Sequence, residues 1–238
     1  MSNTNDISKV LSGNAYPGRG ILLGKSKNGR YAVSAYFIMG RSSNSRNRTI
    51  IETKDCLKIE AIDSSKVLDP SLIIYYPLRK LCDNLIVTNG TQTDVIYSFL
   101  KDGKTFEQAL CTQVFEHDAP NFTPRISGII YNESKNDFTY KLSVLKSGDE
   151  KGSVCSRFTY SYAPINGIGH FIHTYIKDGD PLPSFTGEPL KISVPDDIDE
   201  FTKTLWKSLN NDNKVSLYTR YFDTEKGTAD TRLINKYK

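Results

Sequence analysis

The sequence predicts an α+β layered sandwich, and three observations carry the prediction. β-type segments outnumber helical ones; they come in blocks, with a pair of helices between two runs of strands; and the strands are joined mostly through short connections rich in turn residues. A doubly wound parallel fold would instead alternate strand and helix regularly, which this chain does not do.

Taken in order, the start "MSNTNDISKV" is polar, and residues 1–15 read as a loose tail on a single domain spanning 1–238. "GRGILLGKS" and "RYAVSAYFIM" are two apolar strands joined through Lys27-Asn28-Gly29-Arg30, and an Asn-Gly centre is a strong hairpin signal. "GRSSNSRNRTI" follows directly and places Arg41, Arg46 and Arg48 among small polar residues. "CLKIEAI" and "DNLIVTNG" are further strand patterns. The period then changes. "TDVIYSFLKDG" and "TFEQALCTQVFEH" carry apolar residues at helical spacing, Phe106, Leu110 and Val114 in the second, with Thr105 as a cap. Four β-type segments follow, "TPRISGIIYN", "FTYKLSVLKSG", "VCSRFTYSY" and "GHFIHTYIKDG". A third helix is written in "DDIDEFTKTLWKSL", where Ile198, Phe201, Leu205 and Leu209 share one face, and "KVSLYTRYFD" closes the β content.

Composition narrows the function classes. With 238 residues, 38% of them hydrophobic, the chain can bury a substantial core. A net charge of +4 from 31 basic and 27 acidic residues spread along the chain implies neither a general nucleic-acid surface nor a membrane surface. No apolar run approaches the ~18 residues of a membrane helix, and the start lacks the apolar core of a signal peptide, so a cytoplasmic location is expected. Cys56, Cys82, Cys111 and Cys155 lie in separate segments without ligand spacing and are expected as buried free thiols.

Several tempting motifs fail. "GRGILLGKS" resembles a phosphate loop, but the glycine required five positions before Gly24 is Arg19, and the segment runs as a strand into a hairpin rather than opening a helix. His170 and His173, three apart on a strand, face opposite sides and have no third ligand, so no metal and no cofactor is expected. Ser2 as a processed nucleophile is disfavoured by the polar, strandless "NTND" after it.

What remains is a set of polar residues at the ends of apolar segments: Arg41 and Arg48; Tyr75 and Arg79 in "LIIYYPLR"; Asn89 to Asp94 in "TNGTQTD"; Glu116; and Thr123 to Arg125 in "FTPRIS". Singly, each is more often a cap, a turn or a salt bridge. Together, "GRSSNSRNRT", "IIYYPLR", "IVTNGTQTDVI" and "NFTPRISGII", in this order and spacing, resemble the archaeal-type IMP cyclohydrolase family. The resemblance runs from about Gly18 to about Ile130 and is strongest in "TNGTQTD" and "TPRI".

The resemblance implies a four-layer αββα sandwich of mainly antiparallel sheets, like that of the N-terminal-nucleophile hydrolases but without a processed nucleophile. It implies closure of 5-formamidoimidazole-4-carboxamide ribotide to inosine monophosphate with loss of water. A carboxamide nitrogen is a poor nucleophile, so that chemistry needs proton removal, positioning and support for oxygen charge. Tyr75 suits a proton relay, Arg48 charge support on the formyl oxygen, and Glu116 an acid or base. Arg41, Arg125 and the Asn89-Gly90-Thr91 turn suit the 5′-phosphate, with Asp94 and Thr123 as further substrate contacts. Which arginine takes which role is open, as is a homo-oligomeric state. The partner expected is a small purine ribonucleotide, with no nucleic acid and no membrane. Two rivals stand beside this reading: a non-catalytic purine-ribonucleotide-binding protein, and a nucleic-acid module that stacks bases on some of the 14 tyrosines.

Overall fold

The computed structural model describes residues 4–67, 75–134 and 137–237. Ser2 and residues 72–74 of "LIIYYPLR" lie outside them. In chain order the elements are α1 (Ile7–Ser12), β1 (Arg19–Lys25), β2 (Tyr31–Met39), α2 (Ser43–Arg46), β3 (Thr49–Glu52), β4 (Cys56–Glu60), β5 (Leu78–Leu81) and β6 (Asn84–Thr88). They continue with α3 (Gln92–Lys101), α4 (Phe106–Cys111), β7 (Arg125–Ser134), β8 (Asp137–Ser147), β9 (Cys155–Tyr162), β10 (Ile168–His173), β11 (Leu190–Ser193), α5 (Ile198–Ser208), β12 (Lys214–Asp223) and β13 (Thr228–Asn235).

Two sheets result, one ordered β11-β10-β1-β2-β12-β13 and one ordered β3-β4-β5-β6-β7-β8-β9. Every ladder between these strands is antiparallel. The apolar runs of β1 and β2 are nearly continuous because both of their faces are buried. Ile21, Leu23, Tyr36 and Ile38 pack against Ile126, Ile130 and Leu142 of the other sheet. Leu22, Val33, Ala35 and Phe37 face the opposite way, onto Ile7 and Leu11 of α1 and Phe201 and Leu205 of α5. On the second sheet Ile86 and Ile129 turn outward under Ile96 of α3 and Phe106 and Leu110 of α4. Stacked sheets with helices on their outer faces follow from this alternation.

Four expectations need correction. The supposed tail carries α1, capped by Asp6, whose Ile7 and Leu11 are buried against α5; two apolar residues four apart were enough to seat one helical turn. The second helix stops at Cys111, and Val114 is exposed rather than packed. The chain beyond it belongs to no regular element, with Glu116 N–H bonded to Thr123 O at 2.9 Å. None of the four cysteines is buried: Cys82 and Cys111 are exposed, Cys56 and Cys155 half-buried, and all are free thiols. The β content closes on β13, a polar edge strand, rather than on β12.

The register sets the site. Arg19 opposes Ile38, and Gly20 opposes His173, so the start of β1 and the ends of β2 and β10 meet at one edge of the sandwich. The segment between α4 and β7 passes over the same edge.

Candidate active site

A cavity of about 420 Å³ opens at that edge, within the range of ligand sites. Its walls include Arg19 from β1, Arg41 and Arg48 from the arginine segment, Glu116 and Asp118 from the connection between α4 and β7, and Tyr175 just past β10. Backbone geometry fixes Arg19. Gly18 has φ +78°, and a Cβ there would lie 2.0 Å from Thr174 Oγ1, the hydroxyl that accepts the Arg19 backbone N–H at 3.1 Å. Only glycine permits that approach.

The three arginines of "GRSSNSRNR" go to three different places. Arg46 turns away from the cavity and clamps its own loop, donating from Nε to Gly40 O at 2.9 Å and from Nη2 to Asn213 Oδ1 at 3.2 Å. Arg41 stands at the mouth, 4.9 Å above the Tyr16 ring and paired with Asp178 at 2.6 Å. Arg48 points inward, 3% exposed, with Nε bonded to Ser45 O. Ser42 and Ser45 cap α2 reciprocally, which holds the intervening turn in place.

Arg19 and Arg48 carry the unusual electrostatics. Both are buried, and among the described residues neither forms an ion pair. Six buried side-chain polar atoms among the described residues lack a protein partner, and three of them belong to this cavity: Arg19 Nε, Arg48 Nη1 and Asn44 Oδ1. Two guanidinium groups held together out of water are costly. Burial and the charge of Arg19 both push Arg48 below the ordinary arginine value. Glu116 is also buried, and desolvation raises its carboxyl above the usual range even though Arg19 and Arg125 pull it down. The arrangement sets donors with unmet hydrogen-bonding capacity beside a carboxyl whose protonated form burial favours.

Tyr75 stands among these groups but does not line the cavity; its hydroxyl lies 2.8 Å from that of Tyr36, between the sheets. Its neighbour Tyr76 goes elsewhere, 5.5 Å under the Arg79 guanidinium.

The "TNGTQTD" turn forms its own closed unit. Asn89 donates to Pro124 O at 2.8 Å and accepts from Ile126 N–H and Gln92 Nε2. Gln92 in turn accepts from Arg125 Nη1 at 2.9 Å. That guanidinium lies over Gly90, where a Cβ would sit 1.7 Å from Nη1. Arg125 faces an adjoining hollow of about 430 Å³ that shares Glu116 and Asp118 with the first, and its Nη1 is 3.9 Å from Glu116 Oε1. Thr91 is exposed without a capping bond, and Asp94 pairs with Arg79 at 2.6 Å. Thr123 does line the main cavity, with its hydroxyl bonded to both Asp118 and Tyr175.

The structure thus brings Arg41, Arg48, Glu116 and Thr123 to one cavity, Tyr75 behind it, Arg125 beside it, and leaves Asn89, Gly90, Thr91 and Asp94 off it. The sequence reading passed over Arg19, Tyr16, Asp118 and Tyr175. An arginine heading an otherwise apolar strand was the available signal for Arg19; the others are joined only through long-range contacts. Among the described residues no group of three His, Cys, Asp or Glu could hold a metal. His170 and His173 are pushed down to about 4 by burial and bond to Tyr140 and to Tyr175 O.

Sandwich and cavity together set buried guanidinium groups with unmet donors beside a buried carboxyl. Comparison makes this particular: the profile described as IMP cyclohydrolase-like protein matches residues 16–226, and the chain belongs to that family. It is 31% identical over 145 residues to the IMP cyclohydrolase of Methanococcus aeolicus, covering 56% of this chain and 70% of that one. It is 33% identical over 123 residues to that of Methanopyrus kandleri, covering 50% and 60%, and 32% identical over 119 residues to that of Methanosphaera stadtmanae, covering 48% and 57%. The matched segments thus span between 57% and 70% of the length of these relatives. No helix among the described residues is long and apolar enough to cross a membrane.

Proposed function

We propose that this chain is an IMP cyclohydrolase and that the Arg19–Arg48–Glu116 cavity is where it closes 5-formamidoimidazole-4-carboxamide ribotide to inosine monophosphate. The carrying observation is the pair of buried guanidinium groups with unmet donors beside a carboxyl whose pKa burial has raised. Family membership and the names of the relatives support the activity.

In the reaction the carboxamide nitrogen attacks the formyl carbon and loses one proton. The formyl oxygen takes up negative charge and then a proton, and it leaves as water when the formamide nitrogen gives up its hydrogen. Arg19 and Arg48 supply donors where that oxygen charge appears, in a site shielded from water where such donors act most strongly. Glu116 takes the carboxamide proton and returns it to the departing oxygen. Arg41, at the mouth, meets the 5′-phosphate; exchanging Asp178 for phosphate keeps its charge paired. Tyr75 supports the arginines from behind and shares its hydroxyl hydrogen bond with Tyr36. The stacked antiparallel sheets flanked by helices support kinship with the N-terminal-nucleophile hydrolase fold, and a cytoplasmic site of action accompanies a phosphorylated substrate.

The test is turnover of the formamido ribotide to inosine monophosphate, followed by absorbance. Conversion by the purified protein, slowed at least tenfold in Tyr75→Phe and unchanged in Tyr76→Phe, is expected. Tight binding of inosine monophosphate with no turnover would favour the non-catalytic binder instead.

A further inference from the structure

One wall of the cavity has a hydrogen-bond direction that the chain itself dictates. The Asp118 carboxylate has no hydrogen to give and accepts from both the Thr123 backbone N–H and the Thr123 hydroxyl. Thr123 has then used its only hydroxyl hydrogen, so its contact with the Tyr175 hydroxyl, at 2.7 Å, runs from Tyr175 to Thr123. Tyr175 remains a phenol throughout the physiological range, since burial pushes it up to about 12. Its proton is committed inward, and what it offers a ligand is its oxygen, as an acceptor.

The position of that acceptor along the cavity is also fixed. Arg41 lies over the Tyr16 ring, Tyr16 stacks on Tyr175 with centroids 5.8 Å apart, and Tyr175 is close enough to Arg19 to feel its charge. The series Arg41, Tyr16, Tyr175, Arg19 therefore leads from the mouth to the buried guanidinium groups. A mononucleotide with its phosphate at Arg41 and its reacting groups at Arg19 and Arg48 lays its sugar along the middle of that series. Sugar hydroxyls are donors. The guanidinium groups of Arg19, Arg41 and Arg48 only donate and cannot accept from a sugar hydroxyl, whereas the Tyr175 oxygen can.

We propose that Tyr175 is a specificity residue that accepts a hydrogen bond from a ribose hydroxyl, held in that role by Thr123 and Asp118, so that the site selects ribonucleotides over deoxyribonucleotides. This rests on the function proposed above. Calorimetric titration of inosine monophosphate and its 2′-deoxy and 3′-deoxy counterparts tests it. The wild-type protein should bind the ribonucleotide about fivefold to tenfold more tightly than one of the two deoxy forms, the range of a single net hydrogen bond. In Tyr175→Phe that ratio should fall to about one. Thr123→Val, which leaves Tyr175 in place but frees its proton to turn outward, should also reduce the ratio, and it carries the test if Tyr175→Phe fails to fold.

A merely structural role would weaken all three ligands alike and leave the ratios intact; that result, or a wild-type protein indifferent to both hydroxyls, overturns the ribose assignment alone. Absence of inosine monophosphate binding by the wild-type protein would overturn the proposed function and this inference with it.

Discussion

The arginine segment and the "TNGTQTD" turn have similar compositions, rich in small polar residues beside apolar strands, yet the fold treats them oppositely. In the turn nearly every polar group is answered from within: Asn89 makes three bonds, and Gln92 holds Arg125. The Thr88 and Thr93 hydroxyls lie 2.5 Å apart, so one donates to the other and the remaining hydrogen goes to Gly90 O. At the cavity, among the described residues, Arg48 has one bond to Ser45 O and an unmet Nη1, and Arg19 has an unmet Nε. A satisfied buried network gives rigidity, whereas an unsatisfied one leaves binding free energy for a ligand to recover. The turn is framework and the arginine pair is site.

That contrast can be broken by experiment, most forcefully at the arginines. Arg19→Met and Arg48→Met should each lower kcat about 10²–10³-fold, and the double variant about 10⁴-fold, as expected for losing donors to a developing oxyanion. Because each change removes an unpaired buried charge, the melting temperature should hold or rise. A falling melting temperature with near-normal turnover would reverse the comparison.

Glu116→Gln comes next, with kcat reduced about 10²–10³-fold. Burial raises the Glu116 pKa, so a base role predicts that wild-type activity is lost as pH falls through that raised value. The glutamine variant should lack this acidic limb in its pH–rate profile. If the limb persists in the variant, Glu116 is not the base.

Asn89→Ala tests the other side. Removing the side chain strands buried donors and acceptors at Pro124, Ile126 and Gln92, and should cost about 2–4 kcal/mol in denaturant unfolding. The kcat of the protein that remains folded should change less than about threefold. A large loss of turnover without a loss of stability would move the turn into the site.

The contrast between these regions was only partly legible in the sequence. The β1–β2 hairpin, the paired helices and the apolar face of α5 followed from period and turn chemistry, because local pattern decides them. Short or polar edge strands such as β3, β11 and β13 carry too few side chains to show a period. Arg48 and Glu116 were picked out by residue type and the resemblance, and they do share a cavity. Asn89, Thr91 and Asp94 were grouped with them for the same reason, yet whether a polar side chain is already used up depends on partners 30 to 40 positions away, as with Asn89 and Pro124. In the sequence Arg19 reads only as a flaw in a phosphate loop; its meaning appears when strand register brings it to the cavity that Arg48 also lines.

A smaller effect lies beneath the cavity. His173 is buried against Phe171 and Phe185, and its ring nitrogen bonds to Tyr175 O. Burial depresses it to about 4, so the folded state refuses a proton that the unfolded chain accepts below about 6.5. Stability attributable to His173 is therefore whole above pH 6.5 and declines as pH falls toward 4, at roughly 1.4 kcal/mol per unit. His173→Gln should flatten the unfolding free energy between pH 6.5 and 5 by about 2 kcal/mol relative to wild type. Parallel slopes in the two proteins would show that the histidine is protonated in the folded state.

The most direct measurement is a crystal structure with inosine monophosphate bound. The account predicts the nucleotide in the 420 Å³ cavity, with the ring carbon that carried the formyl oxygen turned toward Arg19 and Arg48 and the phosphate at Arg41. A nucleotide seated on the Asn89-Gly90 turn, with Arg19 and Arg48 untouched, would contradict it.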